Sequence, residues 1–340
     1  MSGTSLDGLD IAYCEFQENN DSWHFTIPFA TTYPYSPTWR EKLSSVENQS
    51  ALLLTQLHTD FGILVAEKIN NFINTHKIHP KFIASHGHTI FHQPEKSFTL
   101  QIGSGAHIAA LTNIKTIFDF RSLDVAKNGQ GAPLVPIGDW KLFPDYDICL
   151  NIGGIANISF QQEKKRLAFD ICPANMALNY LSSLKQLSFD DKGNNAKAGQ
   201  INPPLLKILN SQDYYHKNGA KSLGKEWFIN NIIPLLKSSN ISINDKLCTF
   251  VEHIAIQIAT NIKDKGKSML ITGGGAYNNY LIERIQYHSN IAITIPEKNI
   301  IDYKEAMVFA FLGVLRMRNE INTLKSVTGA TSDSISGVVI

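Results

Sequence analysis

Hydrophobic and polar positions change period several times along the chain. Strand-like runs over residues 11–16 and 23–29, joined by the polar turn QENNDS, predict a β-hairpin. From residue 51 to 75, apolar side chains fall at Leu53, Leu57, Phe61, Leu64, Val65, Ile69, Phe72 and Ile73. Steps of three and four put them on one stripe of a long helix facing a core. Short apolar runs at 81–85, 99–102 and 114–118 predict strands, with a helix at 106–111. In the second half, strands are predicted at 148–152, 155–160 and 167–169, and a helix at 174–184. Residues 205–209 read as helical. Leu247, Phe250, Val251, Ile254, Ile258 and Ile262 mark a second helix stripe over 243–262. A strand at 268–272 runs into a helix at 278–286. A strongly apolar helix contains Glu305, and the closing VTGATSDSISG reads as a loop.

Strands alternating with helices predict an α/β chain, and 340 residues is long for one core. The Gly- and Pro-broken stretch VAKNGQGAPLVPIGDW marks a boundary, giving domains 1–130 and 131–340, with the last helix packing back on the first domain. Hydrophobic residues make up 43% and charged residues 18%, which suits a globular protein and excludes a disordered one. A formal net charge of +1 predicts no strong attraction to nucleic acid or membrane. No apolar run reaches the roughly 18 residues of a membrane span, and MSGTSLDG lacks the basic and apolar regions of a signal peptide. Cys14, Cys149, Cys172 and Cys248 are widely spaced and read as reduced thiols. A cytoplasmic location is the expectation.

Candidate chemistry concentrates at three glycine corners. The first, Gly3 to Gly8 in MSGTSLDGLD, offers backbone N–H groups and hydroxyls to an anion, and Asp7 a carboxylate to Mg2+. The second is Gly153-Gly154, after the strand at 148–152. The third is Gly273-Gly274-Gly275, at a strand-to-helix corner where a nucleoside can approach the backbone closely. Asp170 is expected where a strand meets a helix that Pro173 opens, beside amides able to hold phosphate. Any one corner is equally an ordinary turn; together they describe a nucleotide held in an interdomain cleft that closes on its ligand. His86, His88 and His92 read as a substrate-facing loop rather than a metal cluster. Arg121 and Asp124 suit a polar substrate or form a surface pair. Lys221 is a phosphate or sugar contact, and His253 a satisfied helix residue.

The pieces MSGTSLDGLD, DVAKNGQGAPLVP, NIGGIANIS, FDICPAN, ITGGGAYNNYL, EAMVFAFL and SVTGA resemble the 1,6-anhydro-N-acetylmuramic acid kinase family, from residue 1 to about 330. The resemblance implies the two-domain sugar kinase/Hsp70/actin-like (ribonuclease H-like) α/β fold with an interdomain active-site cleft. It also implies ATP- and Mg2+-dependent phosphorylation of O6 of anhydro-N-acetylmuramate as water opens the anhydro bridge, in peptidoglycan recycling. Gly3, Thr4, Ser5, Leu6, Asp7, Gly8, Leu9 and Asp10 match the family's ATP phosphate segment, and Asp170 its catalytic base. His88, Arg121, Asn175 and Glu305 are substrate-side candidates. A small amino sugar is the implied partner, without nucleic acid or membrane, and a homodimer is compatible with it.

The chain departs from the family pattern in places. Where the family reads Asp-Thr-Gly-Pro-Gly-Asn, this chain has Asp170-Ile171-Cys172-Pro173-Ala174-Asn175, and the usual Ala-Gly-Gly-Gln is Lys127-Asn128-Gly129-Gln130. Family members carry a short strand before Met-Ser-Gly-Thr-Ser, so a start upstream of Met1 is expected. A competing reading is an ATP-binding switch or assembly protein of the same superfold without sugar chemistry; Asp170 argues against it, since a switch needs no base facing a sugar. A third is a kinase for another amino sugar.

Overall fold

A computed structural model describes residues 1–3, 6–20, 22–217 and 221–340. The chain divides into two compact units, 1–142 with 303–340 and 143–302. The sequence places the boundary at 130; the division falls after Leu142, and the returning tail begins at Tyr303, inside the helix Lys298–Met317.

The first unit opens with a long antiparallel hairpin, β1 (Gly8–Asn19) and β2 (Ser22–Pro34), paired from Gly8↔Pro34 to Asn19↔Ser22 with a register shift between Tyr13 and Glu15. A Cβ on Gly8 would come within 2.6 Å of the Tyr33 carbonyl oxygen, so only glycine fits where the strands meet. A parallel pair, β3 (Ile83–Ala84) and β6 (Thr116–Phe118), takes β12 (Val338–Val339) as an antiparallel neighbour. A second hairpin pairs β4 (His88–Gln93) with β5 (Phe98–Ile102). The expected loop at His88 is thus a strand start, because His88 pairs with Ile102 and the strand continues, across a bulge between Thr89 and Phe91, to Gln93↔Phe98. The expected C-terminal loop, 327–337, begins in the last two residues of the short helix Lys325–Thr328 and runs into β12.

The predicted long helix is Ala51–His76. Ser50 caps it by accepting from the Leu53 amide, and Lys77 ends it in the left-handed conformation. Its buried face is Leu57, Phe61, Val65, Ile69 and Phe72, and the first four pack with Leu9, Ile102 and Ile108. Leu53, assigned to the stripe, is instead exposed in the first turn. An apolar cavity of about 660 Å³ lies in this unit, walled by Ile11, Val65, Ile69, Phe72, Ile83 and Phe309.

The second unit is built on a five-stranded sheet ordered β11-β10-β7-β8-β9, from β7 (Ile148–Ile152), β8 (Ile155–Gln162), β9 (Lys165–Pro173), β10 (Ser268–Thr272) and β11 (Ala292–Thr294). Strands β7, β10 and β11 run parallel, while β8 and β9 are antiparallel. The helix Ile243–Ile262 buries Leu247, Phe250, Val251, Ile254, Ile258 and Ile262, the six predicted positions. Burying each such side chain contributes roughly 1.5–3 kcal/mol. Strand β9 is longer than predicted and carries a bulge, with Asn157 opposite Asp170 but Ala156 opposite Cys172. Asp170 therefore sits inside the strand beside a bulge, not where a strand meets a helix. Pro173 is the strand's last residue rather than the helix's first, and the helix is Asn175–Ser183.

Candidate functional site

In the second unit, register brings two glycine corners together. Parallel β7 and β10 pair Asn151 with Thr272, so Gly153 and Gly273 leave neighbouring strands at their carboxyl ends, where open α/β sheets bind ligands. The glycines serve different ends. Gly273 has φ +82°, and a Cβ there would lie 2.6 Å from Asn151 Oδ1; Gly275 packs directly on Ile152. Those two are glycine for the fold's own reasons. At Gly153, Gly154 and Gly274 an added Cβ would meet nothing nearer than 3.5 Å, 3.7 Å and 3.5 Å respectively. Internal packing does not exclude a side chain at these three, so their bareness leaves an open backbone surface.

The start of the helix Asn175–Ser183 is sewn to the same corner. The Asn175 amide donates to the Gly153 carbonyl at 3.1 Å, and the Ala174 and Met176 amides donate to the Gly154 carbonyl at 2.8 and 3.1 Å. Asn175 Nδ2 donates to the Ile152 carbonyl at 3.2 Å. These helix-start amides are already satisfied, so they are not the phosphate-holding groups that the strand-to-helix expectation assigned here.

Asp170 is held by a segment far along the chain. Its amide donates to the Lys221 carbonyl at 3.0 Å. Its carbonyl accepts from the Tyr214 hydroxyl at 2.7 Å, and its Oδ2 from the Leu223 amide at 2.9 Å. Among the described residues no hydrogen bond is made to Oδ1. Burial pushes the Asp170 carboxyl up to about 6, against the pull of the Leu223 N–H. Lys221, expected at a phosphate or sugar, donates from Nζ to the Lys217 carbonyl at 3.1 Å and lies over the Tyr214 ring. Tyr214 and Leu223 escaped the sequence reading. The adjacent Tyr214-Tyr215 pair in an otherwise polar loop is the signal of burial that marks this segment.

In the first unit, the Asp10 amide donates to the Met1 carbonyl at 2.8 Å. Ser2 bridges to Leu9, Leu6 adopts φ 58°, and its amide donates to the Gly3 carbonyl at 3.4 Å. Thr4 and Ser5 lie outside the described residues. Asp7 is exposed and its Oδ1 accepts from the Gly8 amide at 3.0 Å; Asp10 Oδ1 accepts from the Thr32 hydroxyl at 2.6 Å. His88 is buried beneath this turn, with Nδ1 2.9 Å from Ser2 Oγ, which accepts from the Tyr35 hydroxyl at 2.6 Å. Burial lowers His88 to about 4, so its ring is neutral.

Arg121 donates from Nε to His86 Nε2 at 3.0 Å and from Nη1 to the Gly131 carbonyl at 2.6 Å. Burial lowers the guanidinium's pKa, and the carboxylates of Glu305 and Asp124 oppose that shift only in part. Burial, with Arg121 beside it, holds His86 well below its ordinary value. His86 is thus the neutral acceptor that orients Arg121, a role missed in favour of a loop. Asp124 is fully buried, with Oδ2 accepting from the Gly131 amide and Oδ1 from the Thr328 hydroxyl, both at 2.8 Å. Among the described residues, no three His, Cys, Asp or Glu side chains gather as a metal cluster. The lining of the 660 Å³ cavity is mostly apolar, with Asp10, Glu15, Lys81 and Arg318 among it. No helix of the described residues is long and apolar enough to cross a membrane.

Sequence comparison with known proteins covers the whole chain. The family model described as anhydro-N-acetylmuramic acid kinase matches residues 1–340. A protein of that name from Sulfurovum sp. (strain NBC37-1) is 35% identical over 357 residues, covering 100% of this chain and 97% of the relative. Its namesake from Hydrogenovibrio crunogenus is 35% identical over 360 residues, covering 100% and 96%. Among solved structures, the activator of the 2-hydroxyisocaproyl-CoA dehydratase from Clostridium difficile, with bound ADPNP, is 15% identical and covers 65% of this chain and 87% of its own, at a TM-score of 0.37. Full-length matches above 30% identity settle membership: this chain belongs to the anhydro-N-acetylmuramic acid kinase family.

Proposed function

We propose that this chain uses ATP to phosphorylate O6 of 1,6-anhydro-N-acetylmuramate while water opens the anhydro bridge, giving N-acetylmuramate 6-phosphate and ADP in peptidoglycan recycling. Family membership supports the substrate. One observation supports the chemistry: Asp170 is a carboxylate pushed up to about 6, with one oxygen tied to the Leu223 amide. A general base works best with a pKa near the operating pH.

Asp170 takes a proton from water as the water oxygen bonds to C1. The C1–O6 bond breaks and its electron pair stays on O6. O6 then bonds to the γ-phosphorus of ATP, and the bond from that phosphorus to the ADP oxygen breaks. Little covalent work falls to the protein, so positioning and charge neutralisation dominate. The bare corner at Gly153, Gly154 and Gly274 serves the nucleotide. The Gly3–Asp10 turn serves its phosphates, and exposed Asp7 offers the hard oxygen that Mg2+ prefers. Mg2+, when bound, neutralises phosphate charge. Arg121 and Glu305 are assigned to the sugar side. Asn175 and His88 act through the turns they brace, on Ile152 and Ser2. Dependence on ATP favours the cytoplasm as the site of action.

Coupled ADP release with anhydro-N-acetylmuramate against N-acetylglucosamine tests the reading. Release dependent on the anhydro sugar supports it. Equal rates with both sugars point to a broader amino-sugar kinase, and release independent of sugar points to an ATP-driven switch; either overturns it.

A further inference from the structure

Among the described residues, the three bonds that hold Asp170 from outside the sheet come from Tyr214, Lys221 and Leu223. Asp170 lies on β9, the edge of the five-stranded sheet, beside a bulge. An edge strand with a bulge is where backbone geometry is least constrained by its own ladder. The Lys221 carbonyl and the Tyr214 hydroxyl take up the Asp170 N–H and C=O, and the Leu223 amide takes Oδ2.

The stretch is itself anchored. Tyr214 is buried, with its ring centroid 5.4 Å from that of Trp227 and the Lys221 ammonium 4.9 Å from its own centroid. Next to it, the Tyr215 hydroxyl lies 3.1 Å from His253 Nε2, and His253 Nδ1 lies 2.7 Å from Asn210 Oδ1. Gln257 Nε2 donates to the same Asn210 oxygen at 3.0 Å. The helix Ile243–Ile262 therefore anchors Tyr215, next in the chain to the Tyr214 that holds the Asp170 carbonyl. Among the titratable groups around the carboxylate, burial lowers the Lys221 ammonium. Burial raises the Tyr214 hydroxyl and the Cys172 thiol, keeping both protonated, and Lys221 is turned to the Lys217 carbonyl.

We propose that Tyr214 is a positioning residue for the reaction: its hydroxyl on the Asp170 carbonyl fixes the Asp170 backbone so that Oδ2 meets the Leu223 amide, leaving Oδ1 to face the water. The proposal rests on reading Asp170 as the base. It predicts the direction of every effect. Without the Tyr214 hydroxyl the Leu223 bond loosens, the ionised carboxylate loses a donor, and its pKa rises.

Tyr214→Phe keeps the ring and removes only the hydroxyl. It is expected to lower kcat about three- to tenfold, the worth of one hydrogen bond, and to move the acid limb of the kcat profile upward by about 0.5 pH unit. KM for ATP and for sugar should stay unchanged. The same substitution is made in an Asp170→Ala background, where its effect on residual kcat should vanish if Tyr214 acts through Asp170. Equal effects in both backgrounds, or an unmoved acid limb in the single variant, overturn the proposal. A wild-type rate for Asp170→Ala would instead overturn the base reading, and the positioning role with it. If Tyr214→Phe fails to fold, Leu223→Pro, which deletes the amide directly, should move the acid limb the same way; an unmoved limb there also overturns the proposal.

Discussion

The side-chain amide of Asn175 donates to the carbonyl of Ile152 at 3.2 Å, and the side chain of Ile152 is the surface on which Gly275 packs. One residue at the end of β7 thus fixes both a helix start and a glycine corner that lies more than a hundred residues away. The glycines around it divide into those the fold needs and those it does not, and substitution separates the two. Gly275→Ala drives a methyl group into Ile152 and should destabilise by about 1–3 kcal/mol, the usual range for overpacking. Gly154→Ala meets only Met176, at ordinary contact distance. It should leave stability unchanged or raise it by about 0.4–1 kcal/mol through the unfolded chain, while raising KM for ATP. Thermal melts and initial rates over an ATP series read both. A lower melting temperature with unchanged KM for Gly154→Ala would remove this corner from the nucleotide site.

A second relationship concerns stability alone. Glu252 accepts from Arg284 Nε at 2.7 Å and Nη2 at 2.9 Å, and lies 2.8 Å from His288 Nε2. Burial pushes its carboxyl up, but these partners win and hold it below the ordinary carboxylate value. A depressed carboxyl contributes stability that is present above the unfolded-state pKa and is lost as pH falls through the folded one. Glu252→Gln should therefore cost about 1.5–3 kcal/mol at neutral pH, the worth of hydrogen bonds to a charged group. The gap between variant and wild type should shrink on acidification below the ordinary carboxylate range. Urea unfolding at several pH values measures it, and a gap that stays constant into acid would contradict the assignment.

The third concerns the turn at the first glycine corner. Ser2 accepts from Tyr35 and lies within hydrogen-bond distance of neutral, buried His88. Ser2→Ala strands both partners and should cost about 1–3 kcal/mol. Because the turn leads into the phosphate segment, KM for ATP should rise as well. A melt shift without a change in KM would make this network structural only.

Much of this was legible in the chain. The stripe from Leu247 to Ile262 and the apolar run Ile148 to Ile152 fix a helix and a strand because burial imposes their periods. Leu53 misled, since a first-turn residue can match the stripe's spacing while the helix end stands clear of the core. The bulge beside Asp170 left no mark in the pattern, because one extra residue in a buried strand changes pairing and not composition. The meeting of Gly153 with Gly273 depends on the parallel register of β7 and β10, which local spacing does not encode. The raised Asp170 carboxyl and its Leu223 donor belong to tertiary contact, beyond any motif.

The last prediction concerns Asp170 itself. With its carboxyl pushed up to about 6 by burial, the base is ionised above that value and lost below it. The kcat profile should therefore rise with an apparent pKa near 6 and flatten above, if proton removal from water limits the rate. Asp170→Asn keeps the shape and still accepts from the Leu223 amide, but it cannot take a proton from water. It should lower kcat by at least about 100-fold, with KM for ATP and sugar largely kept, the pattern of an interaction made only in the transition state. The same role fixes the fate of oxygen atoms. In oxygen-18 water the label should appear at the C1 hydroxyl of the product, because water bonds to C1, while the bridge oxygen leaves as O6 carrying the phosphate. Label at the phosphate ester, or a near-wild-type Asn variant, would take Asp170 out of this step. A profile flat through pH 6 with a dead Asn variant would mean that the carboxylate acts before, and not in, the rate-limiting step.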